Sequence, residues 1–364
     1  MAAPGETDLH YMQRALELAA RGLYTTTPNP RVGCVIVRDG MIVGAGFHER
    51  AGEPHAEVHA LRAAGERARG ATVYVTLEPC AHQGRTPPCV QALIDARVAR
   101  VVSAMKDPNP LVAGGGFDRL RAAGIAVESG VLEDEARALN IGFVSRMTRG
   151  RPWVRMKIAA SLDGKTALEN GRSQWITGPE ARRDGHAFRA RACAVLTGIG
   201  TLRDDDPQLN VREVETSRQP LKILIDSRLE ASLDARLFQS GQVLVAAAID
   251  DAERIAAFSA RGVEVVVLPN ASGKVELSDL MRELGRRQLN EVHVEAGFKL
   301  NGSLLRAGLV DELLVYLAPS VIGASPNGMF NLPALDDLAQ QRRLEFQDVA
   351  RIGPDVRLIA RVLD

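Results

Sequence analysis

Charge of one sign is what this chain most plainly lacks. Its 45 Lys and Arg are matched by 45 Asp and Glu. The balance holds locally: residues 1–150 carry 17 basic and 16 acidic side chains, the remainder 28 and 29. Neither half has the basic excess of a nucleic-acid binder, so no nucleic-acid partner is expected. Cysteine is scarce, four in 364 residues, which excludes a disulfide framework. No apolar run reaches the roughly 18 residues that a membrane-crossing helix needs, so no membrane partner is expected. Residues 1–8 show no apolar stretch after a basic start, so no signal peptide is read and the expected location is cytoplasmic. The halves share no repeat, and no segment is of low complexity.

What the chain has is length and apolar content for more than one core. At 364 residues and 46% hydrophobic, two domains are expected. Two of the cysteines, Cys34 and Cys193, lie in apolar surroundings and read as core thiols. His48 and His59 read as structural.

The other two cysteines belong to one stretch. It runs H-A-E at His55–Glu57, then P-C at Pro79–Cys80, then Cys89. One imidazole and two thiolates suit zinc and leave a fourth position for water, the mark of a catalytic site. Glu57 is two residues past His55 and is not needed as a ligand. This is the layout of zinc-dependent nucleobase deaminases, in which the metal makes hydroxide and the glutamate moves protons. His55 is expected at a helix entry. Pro79 is expected to open a second helix carrying Cys80, whose thiolate a helix N-terminus favours. Two residues usually separate the cysteines; here there are eight, residues 81–88. A structural zinc in a scaffold would ask for a fourth ligand, and none is evident nearby. A nucleic-acid deaminase is disfavoured by the charge balance and by this insertion.

Periodicity predicts helices at 8–21, 57–68, 89–96, 117–123 and 133–149, and strands at 32–37, 41–47, 72–76 and 100–104. That is a three-layer α/β sandwich whose late strands run parallel. A polar Gly/Pro break at 148–152 marks the domain boundary, giving 1–149 and 150–364. The pattern then restarts. Strands are predicted at 153–159, 194–198, 221–225, 243–247, 263–268, 292–295 and 313–317, with helices at 179–190, 252–261 and 277–288. A second α/β domain follows. Within it, residues 297–303 (G-F-K-L-N-G-S) follow a strand and open a short helix whose amides can meet a phosphate. They are not a G-x-G-x-x-G fingerprint.

The runs P-N-P-R-V-G-C-V-I-V (28–37), G-E-P-H-A-E-V-H-A-L (52–61), V-T-L-E-P-C-A-H-Q-G-R-T-P-P-C (75–89) and K-D-P-N-P (106–110) resemble the bifunctional deaminase/reductase family of riboflavin biosynthesis. So do A-S-L-D-G-K (160–165), S-Q-W-I-T (173–177), G-I-G-T-L-R-D-D-D-P-Q-L-N-V-R (198–212) and V-E-A-G-F-K-L-N-G-S-L-L (294–305). The eight-residue spacing between the cysteines is this family's.

The resemblance implies a cytidine-deaminase-like domain that hydrolyses an amino group from a pyrimidine bearing a phosphoribosylamino arm. It implies a dihydrofolate-reductase-like domain that uses NADPH to reduce the ribosyl group to ribityl. Zn2+ would be held by His55, Cys80 and Cys89, with Glu57 catalytic. Asn29, His82, Asp107 and Asn109 would touch the deaminase substrate. Ala159, Trp175, Thr201 and Asp205, with Gly297, Phe298, Lys299, Leu300, Asn301, Gly302 and Ser303, would bind NADPH. Ser173, Arg189, Leu209, Arg212 and Glu295 would hold the reductase substrate, arginine being suited to its phosphate. At the place of Ala296 or Phe298 the family commonly has a second glycine. The proton donor for reduction stays open between Asp205 and water. A homo-oligomer, dimer or tetramer, is also implied.

Overall fold

A computed structural model describes residues 5–81, 88–110 and 112–363. The chain divides into two compact units, Met1–Gly150 and Arg151–Asp364.

In the first unit α1 (Glu6–Ala20) precedes β1 (Gly33–Arg38), which turns into β2 (Met41–Phe47). The turn residues Asp39 and Gly40 take φ of 51° and 74°, as a two-residue hairpin requires. Then come α2 (Ala56–Ala64), β3 (Thr72–Val75), α3 (Cys89–Asp95), β4 (Arg100–Ser103), α4 (Gly115–Ala122), β5 (Ala126–Ser129), α5 (Glu133–Leu139) and α6 (Ile141–Arg149). The sheet order is β2-β1-β3-β4-β5. β1 is antiparallel to β2 and β3, while β3, β4 and β5 run parallel. Glycines let helices close on both faces. A Cβ on Gly33 would lie 1.9 Å from the Ala15 carbonyl of α1, and one on Gly46 2.9 Å from the Ala56 carbonyl of α2. Gly46 pairs with Cys34, the neighbour of Gly33, and neighbours on a strand face opposite ways. So α1 covers one face, α2 the other, and the unit has three layers.

Three local expectations are corrected. The helix predicted at 57–68 ends at Ala64, where Gly65 (φ 56°) tightens the chain into a 3₁₀ turn at Gly65–Ala68. The helix predicted at 133–149 is two helices parted at Asn140. The buried side chain of Asn140 bonds both the amide and the carbonyl of Arg31, at 2.8 and 2.9 Å, as a strand partner would. And Cys80 does not open a helix. The second helix starts at Cys89, after Pro88, because a proline turns the residue before it away from helical geometry. The edge strand β5 was not anticipated; Val127 is its one large apolar residue.

The second unit has β6 (Trp153–Ser161), α7 (Pro179–Arg191), β7 (Ala194–Gly198), α8 (Ile199–Asp205), β8 (Leu221–Ile225), β9 (Val243–Ala247), α9 (Ala252–Ser259), β10 (Glu264–Val267), α10 (Leu277–Arg286), β11 (Glu291–Val294), α11 (Phe298–Arg306), β12 (Glu312–Ala318), β13 (Leu344–Ile352) and β14 (Asp355–Val362). Its sheet runs β10-β9-β8-β7-β11-β6-β12-β14-β13. It is parallel from β10 through β12, then antiparallel into the terminal hairpin. Pairs of apolar strand residues such as Val154/Met156, Leu196 and Val292/Val294 form its core. α8 and the β13–β14 hairpin were not anticipated. The chain order reverses around β6, so the carboxyl ends of β6, β7 and β11 border a crevice of the kind where open α/β sheets bind ligands. No helix is long and apolar enough to cross a membrane among the described residues.

Candidate active sites

In the first unit, the start of α2 and the start of α3 bring three donors together. His55 is the N-cap of α2, and Cys89 is the first residue of α3. Their side-chain donors and that of Cys80 lie within 4.8 Å of one another. His55 Nδ1 is 3.1 Å from Cys89 Sγ and 3.6 Å from Cys80 Sγ. Tetrahedral zinc would separate nitrogen and sulfur ligands by about 3.6 Å, so the donor set fits the ion. Without a cation, the hydrogen bond from Cys89, aided by His55, pulls the Cys80 thiol down to about 4. The same shared hydrogen bond, with burial, pushes Cys89 up. A divalent cation would hold both sulfurs as thiolates.

Glu57, in the first turn of α2, is buried and its Oε2 has no hydrogen-bond partner. A buried polar atom left bare is costly unless a ligand completes it. Burial raises the Glu57 pKa, followed by the nearby Cys80. A carboxyl raised this way, beside a metal donor set, is suited to taking and giving a proton.

Asn29 is tied to this site through His48. His48 Nδ1 lies 3.1 Å from the Pro54 carbonyl, which can only accept, so Nδ1 carries the proton. Burial lowers the His48 pKa and keeps the ring neutral. Its Nε2 must then accept, and Asn29 Nδ2 donates to it at 3.0 Å. That leaves Asn29 Oδ1 as the outward acceptor. The His48 ring stands edge-on to His55, centroids 5.4 Å apart. Asp107 and Asn109 sit on the β4–α4 loop, with the Asn109 amide bonded to Asp107 Oδ1 at 2.8 Å. His82 lies outside the described residues.

In the second unit one cleft of about 1030 Å³ is lined by Ala159, Ser173, Trp175, Arg189, Thr201, Asp205, Leu209, Arg212 and Glu295, and by Gly297–Asn301 with Ser303. Gly302 does not line it. That glycine instead meets a backbone, where a Cβ would lie 2.1 Å from the Asn331 carbonyl. The Gly297 amide donates to Thr201 Oγ1 at 3.0 Å, and the first α11 bond runs from Asn301 back to Gly297. The amides of Phe298, Lys299 and Leu300 therefore have no acceptor inside the helix. Asn301 Oδ1 is buried without a partner. These free donors and an unmet acceptor fit a dinucleotide diphosphate and its sugar.

Arg189 reaches Glu295 through Nε and Nη2, at 2.8 and 2.9 Å, and the Asn210 carbonyl through Nη1 at 2.5 Å. Its fork is thereby occupied by protein. Burial alone would raise the Glu295 carboxyl; Arg189 overrides it and holds it well below the usual range. Arg212 is exposed on the cleft wall, its amide donating to His186 Nδ1 at 3.3 Å. Burial, then the cations Arg189 and Arg212, depress the buried His186 to about 3, so it is a neutral acceptor. Asp205 Oδ1 accepts from Ser173 Oγ at 3.0 Å.

Lys157 on β6 also lines the cleft, and sequence reasoning missed it. Burial lowers its pKa, with Glu295 opposing. The signal was a lysine interrupting the apolar strand V-R-M-K-I-A-A, since buried lysine is rare without a task.

Comparison with known proteins gives a consistent result. The family described as RibD C-terminal domain matches residues 152–358. The cytidine and deoxycytidylate deaminase zinc-binding region matches residues 5–105. The riboflavin biosynthesis protein RibD of Escherichia coli is 50% identical over 96% of this chain and 98% of that protein. That of Haemophilus influenzae is 47% identical over 96% of each. Among solved structures, Acinetobacter baumannii RibD superposes with a TM-score of 0.91 at 46% identity, covering 99% of both chains. The Thermotoga maritima diaminohydroxyphosphoribosylaminopyrimidine deaminase/5-amino-6-(5-phosphoribosylamino)uracil reductase gives 0.87 at 34% identity, covering 98% of this chain and 99% of that one.

Proposed function

The chain belongs to the RibD family, and on that footing we propose which residues carry out each half of its work. It is a bifunctional riboflavin-biosynthesis enzyme, a zinc-dependent deaminase joined to an NADPH-dependent reductase. Its substrates are small phosphoribosylaminopyrimidines.

In the deaminase, taken as residues 1–149, His55, Cys80 and Cys89 hold zinc, which when bound supplies hydroxide from water at neutral pH. Glu57 takes the first proton of the water to the ring nitrogen as the hydroxyl adds, then carries the remaining hydroxyl proton to the amine, whose C–N bond breaks to release ammonia. Asn29 offers Oδ1 to an N–H of the substrate, and Asp107 and Asn109 complete the pocket. The observation that carries this reading is the bare, buried Glu57 Oε2 beside three mutually close metal donors. Glu57→Gln should keep one zinc per chain and lose deamination by several orders of magnitude, with reduction untouched. Loss of zinc in that variant would make Glu57 a ligand and overturn the role.

In the reductase, taken as residues 150–364, NADPH supplies the hydride. The α11 amides and Thr201 hold its diphosphate, with Gly302 keeping the helix close to its neighbour. Ala159, Trp175 and Asp205 border the nicotinamide half. Arg212 takes the substrate phosphate, Ser173 and Leu209 shape that end, and Arg189 orients Glu295. Proton delivery is assigned to Lys157, which lines the cleft and whose pKa burial lowers.

We place the chain in the cytoplasm, where thiolate metal ligands such as Cys80 and Cys89 persist. A homo-oligomer is supported by the terminal hairpin, which leaves Phe346 63% and Val349 61% exposed. Light scattering on the purified chain tests it; a monomer at micromolar concentration would refute it.

A further inference from the structure

Glu78 is buried two residues before the zinc donor Cys80, yet among the described residues no cation partners it. Its carboxylate is instead surrounded by backbone amides from the β4–α4 loop and the first turn of α4. Oε2 accepts from the amides of Asp107 at 3.2 Å and Gly114 at 2.9 Å. Oε1 accepts from Gly116 at 2.9 Å and Phe117 at 3.4 Å. Both ends of the β4–α4 loop are thus pinned to one side chain. Charge-assisted bonds of this kind are the strong ones, and the positive end of α4 adds to them.

The loop is shaped for the clamp. Gly114 takes φ 88° at the head of α4, so the amides can turn inward. A Cβ on Gly116 would lie 2.1 Å from the Pro79 carbonyl and 3.1 Å from Glu78 Oε1. The Glu78 amide donates to the Met105 carbonyl at 3.0 Å, closing the other side. Asp107 and Asn109 ride on the pinned segment, locked to each other by the Asn109 amide.

We infer that Glu78 is a positioning residue of the deaminase, fixing the Asp107–Asn109 turn at a set distance from the zinc ligand Cys80. Glu78 touches neither substrate nor metal; it acts through the loop. The inference rests on Asp107 and Asn109 contacting substrate, as proposed above. A carboxylate serves here because four converging donors leave no room for a group that also donates. Glutamine would set an NH₂ against two of them.

The test uses the full chain, with zinc content and deaminase kinetics measured on Glu78→Gln, Asn109→Ala and the double variant. Glu78→Gln should retain one zinc per chain and leave kcat close to wild type. Its KM for the diaminopyrimidine should rise by roughly 10- to 100-fold, the scale of a misplaced binding group. Asn109→Ala should raise KM too, and the double variant should be no worse than the product of overlapping effects, falling short of additivity. Glu78→Asp, which keeps the charge, should recover part of the loss. Zinc loss in Glu78→Gln would place its role at Cys80 and overturn the inference. So would an unchanged KM with zinc retained while Asn109→Ala is impaired. If Asn109→Ala and Asp107→Ala are both silent, the substrate-contact reading itself is wrong, and the clamp has nothing to position.

Discussion

Arg189 and Glu295 meet side on, two parallel N–H···O bonds of 2.8 and 2.9 Å joining α7 to the end of β11. Two residues that sequence resemblance assigns separately to the substrate are therefore one unit. Arg189 has three of its five N–H donors committed, two to Glu295 and one to the Asn210 carbonyl. What it does is keep Glu295 ionised in a site that would otherwise protonate it. A fixed carboxylate at the cleft wall then becomes available to hydroxyl groups of an opened sugar.

That pairing sets a stability prediction. Arg189→Ala strands a buried carboxylate and should cost the reductase unit about 3–5 kcal/mol, read by urea unfolding. Adding Glu295→Gln should return part of this, since the bare charge is gone. The pH dependence has a definite sign. The folded pKa of Glu295 lies below the ordinary 4.5. Its contribution is therefore complete above that value and is lost as pH falls through the lower, folded one.

The His48–Asn29 bond predicts an inversion with pH. Asn29→Asp sets two acceptors against each other, since His48 Nε2 accepts. One unmet buried bond costs about 1–3 kcal/mol, so deaminase kcat/KM should fall by roughly 5- to 150-fold. Acidification protonates His48 and restores a donor, so the variant's loss relative to wild type should shrink toward lower pH. A deficit that stays constant with pH would contradict the tautomer.

The metal donors were legible because each sits at a local landmark: His55 before a helix, Cys89 after a proline pair. The start of the second helix was misread for a related reason. Pro79 resembles a first-turn proline, but Pro88 is the one that sets the helix. Asn140 was illegible because its partner, Arg31, is 109 residues away. Glu78 was overlooked for the same cause, its donors lying 29 to 39 residues on. The terminal hairpin escaped because both faces of β13 are largely exposed, leaving no apolar alternation. Lys157 looks like any strand residue until the cleft around it is seen.

Lys157 as proton donor predicts a limb in the pH profile. Burial puts its folded pKa below 10.5. Reduction should therefore fall on the alkaline side, at a pH lower than a free lysine would give, as the proton is lost. Lys157→Met should remove that limb and lower kcat by about 10²–10⁴-fold, with NADPH binding preserved. Retention of the limb in the variant would return the donor to water.

Arg212 is the cation assigned to the phosphate. It is exposed on the cleft, whereas Arg189 is committed to Glu295. Its backbone is held by neutral His186, and its Nη1 rests 3.3 Å from Asn210 Oδ1, a weak bond easily exchanged for an anion. Replacing it removes a charge-assisted contact of about 1.5–3 kcal/mol. Arg212→Ala should therefore weaken binding of the deaminated phosphoribosylaminouracil by roughly 10- to 100-fold. NADPH affinity should be unchanged, because the α11 amides that hold the cofactor belong to a different wall of the cleft. Calorimetric titration of each ligand alone separates the two. The substrate deficit should also shrink in high salt, where exposed charges are screened over about 3 Å at 1 M. Equal loss of NADPH affinity would move Arg212 to the cofactor.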